Sequence, residues 1–171
     1  MRTLGWRRRA LESASFDEMR YGEAGMHSIL SEADFVVVAV PNTPATKRLL
    51  GAAQLGMMKP SAWLINVSRG AVLDEAALCA ALASPSPRPA GAVLDVYEVE
   101  PLPAASPLWR LPNAILTAHD SWRTEAAYAD NRKYFLDNVR RRLAGETVHG
   151  VIDGGSELAR PALEAVQPAL S

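Results

Sequence analysis

Phe35-Val-Val-Val-Ala-Val40 is β-branched and uninterrupted, and Pro41 stops it. A run of this kind reads as a strand covered on both faces. Three further apolar runs follow: Ala62-Trp-Leu-Ile-Asn66, Gly91-Ala-Val-Leu-Asp95 and Ala114-Ile-Leu-Thr117. Helical patterns lie between them. Thr46 to Met58 reads as a helix closed by Lys59-Pro60. Asp74 is the N-cap of a helix through Ala83, with Ala77, Leu78, Ala81 and Leu82 as its buried face. Upstream, Met1-Arg-Thr-Leu-Gly-Trp6 reads as a strand ending in the basic cluster Arg7-Arg8-Arg9, and His27 to Ala33 as the end of a helix or a turn. Downstream, Ser84 to Pro89 is a loop, and Glu125 to Ala144 is the longest helical stretch, ending at Gly145. Short apolar strands alternating with helices predict βαβ units, a parallel sheet and the α/β class.

Composition sets the outer bounds. The 171 residues suffice for one ordinary domain and are marginal for two. With 49% hydrophobic and 22% charged residues, the chain fills a core rather than remaining disordered. Eighteen Lys and Arg against nineteen Asp and Glu leave a net charge of −1, so the overall balance points to neither a nucleic-acid nor a membrane-surface partner. No apolar run approaches the ~18 residues of a spanning helix. The single cysteine, Cys79, excludes an internal disulfide framework and falls on the inner face of the helix after Asp74, where packing is its expected role. His27, His119 and His149 lie far apart without paired-ligand spacing, so no metal site is expected. Trp63 and Trp109 are expected at core or edge positions.

In open parallel sheets, ligands bind outside the carboxyl ends of the strands. Here those ends carry Pro41-Asn-Thr-Pro-Ala-Thr46, Asn66-Val-Ser-Arg-Gly70, Asp95-Val-Tyr-Glu-Val-Glu-Pro101 and Thr117-Ala-His119. An arginine, a pair of carboxylates and a histidine therefore converge on one edge. That convergence weighs more than any of the residues singly.

These motifs resemble the D-isomer-specific 2-hydroxyacid dehydrogenases. The resemblance is carried by Asn66 to Glu75, by Leu94 to Pro101, by Pro107-Leu-Trp109 and by Leu111-Pro-Asn113 through His119. Asp34 with its strand, Pro41, Thr43, Thr46, Met58-Lys59-Pro60 and Asn138 to Gly145 fit the same pattern. It spans roughly positions 1 to 153. It implies oxidoreduction of the CH–OH of D-2-hydroxy acids, of the glyoxylate or hydroxypyruvate type, with NAD or NADP as cofactor. It implies that Arg69 holds the substrate carboxylate bidentately. His119 is then the acid/base residue, and Glu100 the carboxylate that orients it. Glu98 lies in the same motif, but the family carboxylate precedes the proline, which selects Glu100. Asp95, Pro41, Thr46, Val67, Ser68, Arg7 and Arg8 are implied to line the cofactor. An acid normally ends the second strand of a Rossmann half, where it binds the ribose hydroxyls of NAD. Arg7 to Arg9 stand there instead, which favours NADP; a solvated basic turn accounts for the same residues. Met1 to Ser15, rich in Arg and poor in acids, also reads as an organellar transit segment, ranked below the alignment with a family strand.

The resemblance also implies something missing. Family members carry a substrate-domain segment, a strand and a Gly-rich phosphate turn ahead of the strand found here at Met1, and no G-x-G-x-x-G occurs in the chain. The expected fold is therefore a Rossmann-like parallel sheet lacking its first strand and Gly-rich turn, with the substrate domain absent and the chain part of a longer protein. Residues 1–120 are expected to form a partial dinucleotide-binding domain, 121–155 a C-terminal helix and return segment, and 156–171 a disordered tail. The strands at Met1 and Phe35 are expected to stand apart from the other three. Ala118, the Ser84 to Pro89 loop and Asp120-Ser-Trp122 depart from the family pattern, and bear on substrate shape more than on chemistry. The implied protein is a cytoplasmic homodimer acting on a small 2-oxo or 2-hydroxy acid, its activity weak in the isolated chain. The alternative is a non-catalytic dinucleotide-binding, dimerisation or corepressor-like module.

Overall fold

Trp63–Asn66 alternates half-buried and buried residues, as a strand packed on a helical layer does. It lies inside a four-stranded parallel sheet. A computed structural model of the chain describes residues 1–10, 13, 15–120 and 123–151, divided into two units, Met1–Ser121 and Trp122–Ser171.

The first unit contains β1 (Leu4–Arg7), β2 (Glu18–Tyr21), α1 (Gly22–Glu32), β3 (Phe35–Val38), α2 (Ala52–Met57), β4 (Trp63–Asn66), α3 (Glu75–Leu82), β5 (Gly91–Leu94) and β6 (Ala114–Leu116). The strands form two parallel sheets, β1-β2 and β3-β4-β5-β6. In the larger sheet Phe35 pairs with Trp63 and Trp63 with Gly91, while Val93 pairs with Ile115. Val38, Leu64, Ala92 and Leu94 point to one face and join Leu55 of α2 and Leu78 and Leu82 of α3 in the core. Asp74 caps α3 as its position in the sequence predicts, its carboxylate accepting from the Ala77 N–H at 2.9 Å. Cys79 packs against this core from a half-buried position, and burial pushes its thiol up. Helix α1 contributes Leu30 to the core and also packs on β1 and β2. Arg2, Glu18, Arg20 and Glu32 form an ion-pair network that ties α1 to the two-stranded sheet.

Three expectations are corrected by the structure. The strand at Phe35 does not stand with the one at Met1: β3 pairs with β4, and β1 pairs with β2. β2 escaped sequence reading because its four residues, Glu18-Met-Arg-Tyr21, carry two charges and are all only half-buried. α1 starts at Gly22, directly after β2, and ends at Glu32, which agrees with reading His27 to Ala33 as the end of a helix. β3 is not covered on both faces. Phe35 and Val37 are 62% and 59% exposed, and Ile115 on the same side is 52% exposed. Finally, no helix runs from Thr46 to Met58. Arg48 adopts a left-handed φ of 50°, Leu50 bridges to Leu73 in parallel, and the helix begins only after Gly51, whose N–H donates to the Gln54 side chain at 3.2 Å. Tertiary pairing of Leu50 thus takes the backbone groups a longer helix would need.

The second unit is α4 (Glu125–Leu143), begun by Thr124, whose hydroxyl accepts from the Ala127 N–H at 3.1 Å. Gly145 ends it with a φ of +74°, and the chain returns so that the Asn138 amide both accepts from and donates to the His149 backbone. The expected tail, 156–171, lies outside the described residues. No helix among the described residues is long and apolar enough to cross a membrane.

Candidate active site

Three loops at the carboxyl ends of β4, β5 and β6 carry the site. The loop after β4 is organised by Asn66, which is fully buried. Its side-chain oxygen accepts from the Ser68 N–H at 3.1 Å and from the Ser68 hydroxyl at 2.8 Å, and its amide donates to the Arg69 carbonyl at 3.3 Å. A residue with both donor and acceptor is needed at this position, which Asn supplies and Asp does not. Arg69 follows in extended conformation, directly before a 3-10 turn at Gly70–Val72. Its side chain is largely at the surface and donates to the Ser68 carbonyl at 2.6 Å. Among the described residues it makes no ion pair, leaving a planar cation accessible to an anionic ligand.

The loop after β5 is pressed against this turn. A Cβ at Gly70 would lie 1.9 Å from the Tyr97 carbonyl carbon and oxygen, so only glycine permits the approach. Tyr97 is buried, and its hydroxyl lies 2.6 Å from the Thr117 carbonyl and 3.1 Å from that of Leu94. Its backbone N–H donates to Glu100 Oε1 at 3.0 Å. The other oxygen of Glu100 lies 2.7 Å from His119 Nδ1. Burial opposes ionisation of Glu100. The hydrogen bonds from His119 and the Tyr97 N–H, with the charges of His119 and Arg69, outweigh it and hold the carboxyl below its ordinary range. With Glu100 ionised, Nδ1 carries the proton of this bond, and Nε2 is the nitrogen left for a ligand.

Glu98, two residues earlier, points elsewhere. Its carboxylate takes Arg48 Nε at 3.3 Å, and its N–H donates to Glu75 at 3.1 Å. Asp95, at the end of β5, is 3% exposed, with Oδ1 accepting from the Thr117 hydroxyl at 2.5 Å and the Asp120 N–H at 3.3 Å. His119 sits between those two donors with a φ of +54°.

The remaining sequence candidates are spread along the strand ends. Val67 is exposed, whereas Ser68 is buried with both its donors spent on Asn66. Pro41 and Thr46 close a turn of their own, the Thr46 hydroxyl donating to the Pro41 carbonyl at 2.6 Å. Arg7 ends β1, and Arg8 and Arg9 follow it at the surface, without an ion pair among the described residues. Trp63 lies over Gly91, while Trp109 is 56% exposed and its indole N–H donates to the Pro103 carbonyl at 2.9 Å. Sequence reasoning passed over Tyr97, Gly70 and Thr117 as supports of the site. Their positions inside the quoted motifs were the available signal, but their contacts reach across 20 or more residues.

The exposed strand-end groups suit a nicotinamide dinucleotide at two places. Arg7 to Arg9 are surface cations at the end of β1, and the Asn66 and Asp95 loops lie at the carboxyl ends of the larger sheet, the edge where such sheets bind ligands. A Gly-rich cradle for the pyrophosphate is not among these 171 residues.

Comparison with known proteins places the chain in a family. Residues 1–121 match the family model described as D-isomer specific 2-hydroxyacid dehydrogenase, NAD binding domain. The chain is 41% identical over 128 residues to glyoxylate/hydroxypyruvate reductase B of Pectobacterium carotovorum, an alignment covering 75% of this chain and 39% of that protein. A D-isomer specific 2-hydroxyacid dehydrogenase from Xanthobacter autotrophicus, solved with NADPH and MES, superposes with a TM-score of 0.73 at 39% identity, covering 88% of this chain and 60% of the other. An NADPH-dependent glyoxylate/hydroxypyruvate reductase from Sinorhizobium meliloti, solved with NADP and sulfate, gives a TM-score of 0.73 at 28% identity, covering 88% and 47%. The chain thus spans between 39% and 60% of the length of these relatives, less than two thirds.

Proposed function

We propose, from the fact that this chain belongs to the D-isomer-specific 2-hydroxyacid dehydrogenase family, that it contributes the anion-binding and proton-transfer residues of an NAD(P)-dependent reductase of small 2-oxo acids. Glyoxylate and hydroxypyruvate are the substrates of choice, after the names of the relatives. The observation that carries the reading is the 2.7 Å contact of Glu100 with His119, on the same sheet edge as Arg69, which makes no ion pair among the described residues.

A bound nicotinamide supplies the hydride to the carbonyl carbon. Arg69 binds the substrate carboxylate through its fork and polarises the neighbouring carbonyl. His119 gives the proton on Nε2 to the carbonyl oxygen as charge develops there, and takes it back in the reverse direction. Glu100 keeps Nδ1 occupied so that only Nε2 exchanges protons. Arg7 to Arg9 favour NADP by offering cations to its 2′-phosphate. In this reading residues 1–120 are part of a dinucleotide-binding domain, and the whole protein is a cytoplasmic homodimer.

The test is to add NADPH or NADH with glyoxylate or hydroxypyruvate to the purified chain and follow nicotinamide absorbance. Turnover lost in His119→Ala and faster with NADPH supports the reading. Dinucleotide binding without turnover turns it toward the non-catalytic module.

A further inference from the structure

His119 occupies a backbone conformation that residues with a Cβ resist, at a φ of +54°. Such a conformation persists only where its surroundings over-determine it. The hydrogen bonds of Asp95 supply that determination. Its carboxylate is buried, and one oxygen, Oδ1, accepts from the Thr117 hydroxyl at 2.5 Å and from the Asp120 N–H at 3.3 Å. These donors flank His119, two residues before it and one after. Asp95 itself is anchored, since its N–H donates to the Asn66 carbonyl at 3.1 Å and the Thr117 N–H donates to the Leu94 carbonyl at 3.0 Å. Tyr97 adds a further tie through its hydroxyl at 2.6 Å from the Thr117 carbonyl.

We propose that Asp95 is a positioning residue: its buried carboxylate oxygen clips together the two sides of the His119 turn and so points the imidazole at Glu100. A single acceptor shared by both flanks sets the width of the turn, which hydrogen bonds to separate partners would not do. The role rests on reading His119 as the acid/base residue, and adds to it the source of that residue's orientation. It is distinct from contact with a cofactor, because the clip closes through bonds within the protein.

The experiment compares the full chain with D95A and D95N by NMR. The readouts are the scalar couplings that report φ at residue 119, the Nδ1 chemical shift of His119, and amide exchange at Asp120. In D95A the couplings leave left-handed values, the Nδ1 shift moves, and Asp120 exchange accelerates by about tenfold or more, as expected for loss of a hydrogen bond to a charged group. D95N keeps a side-chain oxygen in place and restores the wild-type couplings. Unchanged couplings in D95A, or no rescue in D95N, overturn the proposal. Should D95A not fold, T117V removes one arm of the clip, and unchanged couplings at 119 together with unchanged exchange at Asp120 overturn it equally. Failure of the functional reading shows separately, as absence of hydroxypyruvate reduction by a chain whose couplings still respond to D95A.

Discussion

Glu100 Oε2 lies 2.7 Å from His119 Nδ1, while Glu100 Oε1 is held by the Tyr97 N–H at 3.0 Å, so the carboxylate is fixed at both oxygens. Glu98 is turned to Arg48 instead. The pairing therefore distinguishes two carboxylates that stand two residues apart.

Glu100→Gln and His119→Ala separate orientation from proton transfer. His119→Ala is expected to lower turnover of hydroxypyruvate with NADPH by between about a hundredfold and ten-thousandfold, the range for losing a general acid. Glu100→Gln presents an amide to Nδ1 and is expected to lower kcat with little change in KM. Equal turnover in both variants and the unsubstituted chain would remove the pair from the chemistry.

The same pair sets a pH dependence. Glu100 is held below its ordinary value of 4.5, so its contribution is fully present above that value and is lost as pH falls through the lower, folded one. A 13C titration of the Glu100 carboxyl is expected to show a midpoint below 4.5. In Glu100→Gln, the acid-side loss of stability due to this group should vanish. A midpoint at or above the ordinary value contradicts the geometry.

Two glycines give opposite signs on substitution. Gly70→Ala drives a methyl into the Tyr97 carbonyl, 1.9 Å away, and is expected to cost about 3 kcal/mol or more in urea unfolding. Gly56→Ala, inside α2 with nothing within 4 Å of its Cβ, is expected to stabilise by about 0.5–1 kcal/mol. Similar effects at both sites would show that the approach of the two loops is looser than described.

The two faces of the larger sheet should also differ. Leu64→Ala empties a fully buried position and is expected to cost about 2–5 kcal/mol. Phe35→Ser, on the open face, should change stability by no more than about 0.5 kcal/mol and raise solubility. A large loss from Phe35→Ser would mean that this face is covered in solution.

Local chemistry made much of this legible. The apolar runs at Trp63, Gly91 and Ala114 became strands because their patterns need only neighbours in sequence, and Asp74 began one helix by short-range hydrogen bonding while Gly145 ended another by backbone freedom. The motif order placed Arg69, Glu100 and His119 at strand ends of one sheet. β2 was not legible, because a half-buried charged strand of four residues carries no periodic signal.

By itself, then, the sequence determined the α/β class, the strands of the larger sheet and which loops bear the reactive side chains. Only the tertiary structure decided that β3 joins β4 while β1 turns to β2, and that Leu50 bridges to Leu73 rather than extending a helix. The reason is one of range. Helix caps and apolar runs are set by residues a few positions apart, whereas strand order, the Gly70 approach to Tyr97 and the Asp95 clip join residues 14 or more positions apart, whose pairing is settled only when the whole core packs.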